Sequence, residues 1–281
     1  MQFRDLSRRL FYSMLILPII VVVLIWANFF FIKTFIVILI AVLGAIGIWE
    51  YTRLVSIKDH KQYIILVIVL AICLILSFFL SVMGQMWTYS PLMMLALSVL
   101  CLFVYHFNKI KQAPLLIALG FFGLFYIAVP LGLLLKILYI SFPSQNGRFW
   151  IFYLLGVTKI TDIAAYFGGR IWGEKKLAAR LSPSKTQVGA VIGFIAAIAL
   201  SLAFWGTSFL FSYFSLTFIQ SLYLGALLGF LGQLGDLAES LLKRDGGYKN
   251  SNTIPGLGGV LDMLDSLLFT IPVIYFFLYR H

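Results

Sequence analysis

Charge is scarce in this chain. Asp, Glu, Lys and Arg together make up 11% of its 281 residues, against about 25% in an ordinary soluble domain. So few charged side chains cannot cover a water-facing surface. That excludes a soluble globular enzyme, a disordered chain and a nucleic-acid-binding module. Cysteine is nearly absent: Cys73 and Cys101 each sit in an apolar run. They offer no disulfide framework and no metal-type spacing, and read as small hydrophobes. Histidine is limited to His60, His106 and His281, all outside the acid-rich segments. Acids number 10 against 21 Lys and Arg, a net charge of +11. In a soluble protein that balance would suggest nucleic acid; here the bases read as topology signals and contacts to anionic lipid.

What is present is apolar: 62% hydrophobic residues and a mean hydropathy of +1.03. The chain reads as an all-α, polytopic membrane protein. A helix needs roughly 20 apolar residues to cross the hydrocarbon core. On that ruler nine spans are expected, at 10–31, 34–50, 63–83, 88–106, 115–139, 149–167, 187–209, 216–241 and 260–279. The break between the first two rests on Lys33; the fifth contains Pro130 and is long, so a kink or tilt is expected there. Arg4, Arg8 and Arg9 before Leu10 resemble a signal peptide, but no small-residue cleavage site follows, so a retained first span is expected. Sixteen of the 21 bases fall at the N-terminus or in the connections after spans 2, 4, 6 and 8. By the positive-inside rule that side is cytoplasmic, with the N-terminus on it and the C-terminus outside.

The acids divide the chain. Residues 1–147 hold only Asp5, Glu50 and Asp59, and read as a transmembrane scaffold of about five spans. Residues 148–281 hold the other seven and read as the catalytic region of about four spans. Ionisable groups at membrane depth are costly, so each needs a reason. Asp236, Glu239, Ser240 and Lys243 recur at helical spacing near the cytoplasmic end of span 8, beside Gly232 and Gly235. They form one stripe on a helix. A polar loop follows, with Arg244, Lys249, Pro255, Gly256, Gly258 and Gly259, and then Asp262, Asp265 and Ser266 open span 9. Glycines at a helix entrance let backbone N–H groups approach an anion, and the helix N-terminus adds positive charge. Four carboxylates gathered near three bases suit a hard divalent cation such as Mg²⁺ beside phosphates. Upstream, Asp162 lies three residues after Lys159, where a plain ion pair is the simpler reading. Five bases between Arg170 and Lys185 form a positive-inside loop, in which Ser182, Lys185 and Thr186 around Pro183 could equally hold a nucleotide phosphate or a lipid head group.

Taken in order, Ser240-x-x-Lys243-Arg244, Lys249, Pro255-Gly-x-Gly-Gly and Asp262-x-x-Asp265-Ser266 resemble the signature of the phosphatidate cytidylyltransferase family, also called CDP-diacylglycerol synthases. Asp162-x-x-Ala-Tyr166-Phe-Gly and Ser182-Pro-Ser-Lys185-Thr186-x-x-Gly are similar to that family's second motif. The resemblance covers about 150–270. It departs at Asn250, Leu257, Met263 and Gln187-Val188, where the family pattern has an acid, a histidine, an arginine and an aromatic–acid pair. The resemblance implies CTP plus phosphatidate giving CDP-diacylglycerol and pyrophosphate, for phospholipid biosynthesis. It implies Mg²⁺ on Asp236, Asp262, Asp265 and Glu239, with K⁺ as a second cation. Lys243 joins the three aspartates as catalytic. Ser182, Lys185, Thr186, Ser240, Arg244, Lys249, Gly256, Gly258 and Gly259 would hold phosphates, with Asp162 and Tyr166 in support. The implied setting is the inner or plasma membrane, with the site facing the cytoplasm and bilayer lipid as partner; family analogy also points to a homodimer. An ion-coupled transporter would use the same intramembrane acids, though not the basic loops. A related CTP-dependent lipid kinase, or an inactive member of the family, would also carry acids and bases of this kind.

Overall fold

The computed structural model describes residues 22–55, 57, 60–108, 110–139, 146–208, 214–248 and 259–280. It is an all-α bundle. The helices are α1 (Phe30–Leu54), α2 (Lys61–Met83), α3 (Ser90–His106), α4 (Ala113–Tyr139), α5 (Gly147–Trp172), α6 (Gln187–Ser208), α7 (Phe218–Asp245) and α8 (Val260–Arg280). All but α3 are long and apolar enough to cross a membrane, and the protein is a multi-pass membrane protein. At 17 residues α3 reaches about 26 Å at 1.5 Å per residue. The described helices match expected spans 2 to 9 closely. Of span 1, residues 10–21 lie outside the described residues, and 22–31 hold a short helical stretch, the turn over 26–29 and the first residues of α1.

Two local expectations change. Lys33 does not break the chain; α1 runs straight through it, and the turn lies earlier, over residues 26–29. A lysine is a good helix former, and this one stretches its ammonium to Met83 Sδ at 3.7 Å and over the rings of Phe79 and Tyr139 at 5.1 and 5.0 Å. The basic loop before α6 is not all loop either. Lys176–Ala178 (β1) and Ser182–Thr186 (β2) pair antiparallel, Lys176 opposite Thr186 and Ala178 opposite Ser182. Pro183 is tolerated because a two-stranded ribbon has a free edge on each strand. In α4 the helix widens to a π turn over Leu124–Ala128, just ahead of Pro130. Pro130 cannot donate back into that turn, and a π turn is one way a helix absorbs the missing bond.

The ends are set by local chemistry. Asn146 Oδ1 accepts from Arg148 N at 3.1 Å and opens α5. Thr217 and Gln220 form a reciprocal capping box at the start of α7. Apolar burial runs continuously from α1 to α8 through residues such as Tyr51, Leu74, Leu131, Trp150, Leu228 and Ile271. In a bilayer, that core differs little in polarity from the lipid around it, so close packing and internal hydrogen bonds must hold the helices. Small residues let α6 and α7 touch: a Cβ on Gly225 would sit 2.7 Å from Ser201 Cβ and 2.9 Å from Ile198 Cα. A buried chain crosses three helices at this level, Tyr153 Oη to Ser201 Oγ at 2.6 Å and Ser201 Oγ to the Ser221 carbonyl at 2.6 Å.

That crossing predicts a selective lesion. Gly225→Leu must push α6 from α7 and should destabilise the protein by about 1–3 kcal/mol, as overpacking does. Gly206→Ala, on the same bundle but with nothing within 4 Å of the added carbon, should cost nothing. Thermal unfolding of both variants in detergent checks the contrast.

Candidate active site

Five of the seven acids of the second half converge on one end of the bundle. They come from the middle of α5, the last three turns of α7 and the first two turns of α8, with the β1–β2 ribbon beside them. A glycine allows the approach. Gly235 lies so close to the Asp265 carbonyl oxygen that a Cβ would not fit. A Cβ on Gly232 would sit 3.5–3.9 Å from Thr158, Thr270 and Ser266, an ordinary contact. The step from Gly235 to Asp236 therefore brings that carboxylate against α8 rather than into lipid.

Two knots of charge result. In the first, the Lys243 ammonium lies between Glu239 and Asp262. It meets Glu239 Oε2 at 2.7 Å and is hydrogen-bonded to Asp262 Oδ1. Glu239 is 2% exposed, and its Oε1 has no hydrogen-bond partner among the described residues. In the second, Asp162, Asp236 and Asp265 lie within electrostatic range of one another. Lys185 of β2 pairs with Asp236. Lys159 reaches Asp162 Oδ2 at 3.4 Å, Ser266 Oγ at 3.5 Å and the Met263 carbonyl at 3.5 Å. Ser266 Oγ donates to Asp162 Oδ2 at 3.4 Å, and Ser266 N donates to Asp265 Oδ1 at 2.5 Å. The ion pair expected between Lys159 and Asp162 is there, and so is a larger role: the pair docks onto α8.

The other sequence-derived candidates separate. Arg244 Nε donates to the Leu181 carbonyl at 3.0 Å, tying the end of α7 to the ribbon turn. Ser182 is buried, its Oγ 3.4 Å from Ser184 Oγ. Thr186 Oγ1 accepts from Gly189 N at 3.1 Å and so caps α6. Tyr166 is exposed, and its hydroxyl accepts from Arg170 Nη1 at 3.3 Å. Ser240 is half-buried, one residue past Glu239. Gly259 N donates to Asp262 Oδ2 at 3.0 Å. Lys249, Gly256 and Gly258 lie outside the described residues. Sequence reasoning missed Glu50, which accepts from Val260 N and Leu261 N at 3.0 and 2.8 Å. The signal was available, since Glu50 is the single acid in an otherwise apolar run.

Among the described residues no three Asp, Glu, His or Cys side chains form a ready metal shell; ammonium groups stand between the acids instead. The donor set nevertheless fits a hard cation. It is all oxygen, it includes a buried oxygen without a partner, and five carboxylates face three ammoniums. Asp162 belongs with Asp236 and Asp265 in this respect, whereas Glu239 and Asp262 share Lys243.

Comparison with known proteins points the same way. The profile of the cytidylyltransferase family matches residues 7–281. The chain is 34% identical to a phosphatidate cytidylyltransferase of Chlamydia pneumoniae over 293 aligned positions, 98% of this chain and 92% of that protein. It is 39% identical to the Chlamydia muridarum protein of the same name over 56% of this chain and 53% of that one. With the Bacillus subtilis phosphatidate cytidylyltransferase it shares 41% identity over 48% of this chain and 49% of that protein.

The Lys243 knot has a measurable consequence. Lys243→Ala leaves two largely buried carboxylates facing each other, a lesion that should cost about 3–5 kcal/mol. Adding Glu239→Gln removes one of the stranded charges and should restore part of the loss. Unfolding midpoints of the single and double variants in detergent decide it.

Proposed function

The chain belongs to the cytidylyltransferase family, and on that footing we propose that it moves the cytidylyl group of CTP onto phosphatidate, giving CDP-diacylglycerol and pyrophosphate. The observation that carries this reading is the gathering of five carboxylates and three lysines from α5, α7, α8 and the ribbon at one end of a membrane bundle. A transporter needs such acids along a path through the membrane; here they are bunched at one end, among bases suited to phosphate.

A phosphate oxygen of phosphatidate attacks the α-phosphorus of CTP, and the bond to the bridging oxygen of pyrophosphate breaks. The attacking group is already ionised, so no strong general base is required, consistent with a site that holds no histidine. The work left to the protein is positioning and charge neutralisation. Lys185 and Lys243 each stand on a carboxylate in the structure. An ammonium so placed can turn toward an incoming phosphate without crossing lipid. Arg244 fixes the ribbon that carries Lys185. Ser182, Thr186 and Ser240 support the ribbon and the end of α7, and Lys249, Gly256, Gly258 and Gly259 complete the phosphate contacts in this proposal. Mg²⁺, bound by Asp236 and Asp265 with Asp162, Asp262 and Glu239 at hand, would withdraw charge from the phosphoryl oxygens; K⁺ would be a second, weaker counter-ion. The membrane setting gives the lipid lateral entry, while CTP arrives from the aqueous side. We place that side in the cytoplasm of an inner or plasma membrane, on the distribution of Lys and Arg. Residues 148–281 form the catalytic region in this reading and 1–147 the scaffold, with a homodimer as the assembly.

The test is turnover by purified protein in detergent with radiolabelled CTP and phosphatidate, with and without Mg²⁺, beside Asp262→Ala and Asp236→Asn. Lipid-soluble label should require Mg²⁺ and fall at least about a hundredfold in both variants. Label that persists in both variants would move the chemistry away from this cluster. No label with the wild-type protein, across several lipids and nucleotides, would reject the reaction itself.

A further inference from the structure

Glu50, in the first half of the chain, reaches the start of α8. Glu50 lies one turn before the end of α1, is 2% exposed, and turns both carboxylate oxygens to the opening of α8. Oε1 accepts from Val260 N at 3.0 Å and Oε2 from Leu261 N at 2.8 Å. The first N–H groups of a helix have no partner within it, and a carboxylate there also meets the positive end of the helix dipole. This cap comes from a residue 210 positions away, not from the neighbouring chain. The next residue after Leu261 is Asp262, and one turn on is Asp265. The direction in which α8 leaves its first turn therefore decides where both aspartates stand.

The same end of α1 touches the end of α7. Gly246, just past Asp245, lies so close to the Leu54 carbonyl oxygen that a Cβ would not fit. The last turn of α1 thus contacts the chain where α7 ends and where α8 begins. A carboxylate with two acceptor oxygens is the only ionisable group that can take both α8 amides at once; an amide side chain offers one oxygen and turns a donor toward the other N–H.

We propose that Glu50 is a positioning residue for cytidylyl transfer: it fixes the first turn of α8 and through it the placement of Asp262 and Asp265 against Asp236 and Lys243. The proposal rests on the reading that those groups carry the chemistry. It gives residues 1–147 a part in the reaction beyond scaffolding. Glu50 itself touches no substrate in this account, so its loss acts on the rate of the bound complex more than on binding.

The experiment compares Glu50→Gln and Glu50→Ala with wild type, in the full chain in detergent. Three readouts are taken: kcat and KM for CTP and phosphatidate, the thermal midpoint, and hydrogen exchange of the peptide spanning 259–265. Glu50→Ala should lower kcat by about tenfold or more, with both KM values within about twofold, and should speed exchange at 260–261. Glu50→Gln, which keeps one acceptor oxygen, should fall between. If Glu50→Ala does not fold, Glu50→Gln decides: a lowered kcat at an unchanged thermal midpoint supports the proposal, and a wild-type kcat overturns it. Unchanged kcat and unchanged exchange in both variants overturn it as well, as does a loss of activity that only tracks the loss of folded protein. A wild-type protein without turnover would defeat the proposed reaction instead, and the exchange measurement would still decide whether Glu50 holds α8.

Discussion

An ion in an apolar bundle must be answered by another group, and the packing of this protein's working end follows from that requirement. Lys243 is the clearest case. Its ammonium is held by Glu239 from one turn earlier in its own helix and by Asp262 across the interface. A single side chain thereby locks α7 to α8 at a fixed register, because sliding one helix by a turn would strand a buried charge. Apolar contacts could not do this in a membrane, where lipid tails compete on nearly equal terms for every Leu and Ile. The Asp236–Lys185 and Lys159–Asp162–Ser266 contacts extend the same logic to the ribbon and to α5.

Glycine makes those contacts reachable. Gly235 meets the backbone of Asp265 directly, with no room for a Cβ between them. Ridge-and-groove packing of larger residues would hold the axes about 8–10 Å apart or more. So the Gly235 that precedes Asp236 in sequence serves the crossing of α7 and α8. It acts on the chemistry only through the acids it lets approach.

Much of this was legible in the sequence, and the limits have physical reasons. The spans were readable because a hydrophobic run of set length has few alternatives in a bilayer. α5 to α8 fall within a few residues of expectation. The stripe from Asp236 to Lys243 was readable because i, i+3 and i+4 neighbours share a helix face whatever surrounds them. How that stripe divides was not readable: Glu239 and Lys243 turn toward Asp262 while Asp236 joins Asp162 and Asp265, and only the crossing angle decides this. The ribbon was hidden because its two strands are short and polar and the second contains Pro183. The acid at Glu50 stood out in its apolar run, but its partners could not be read, since they are backbone amides more than 200 residues away.

The charges also explain why a reactive site can rest stably at the membrane before any substrate arrives. Lysines that suit phosphate stand on carboxylates that suit a cation. Neither set is left bare in lipid, where a lone charge is costly. In the proposed reaction substrate phosphates would draw the lysines and a divalent ion would take up the carboxylates they leave, so the two arriving together would exchange one set of pairings for another. Either arriving alone would leave the opposite set of side chains without its present partners. In the proposed reaction this favours a nucleotide that enters with its metal, and the preference follows from charge pairing at the end of α7 and the start of α8 rather than from a recognition element for either one.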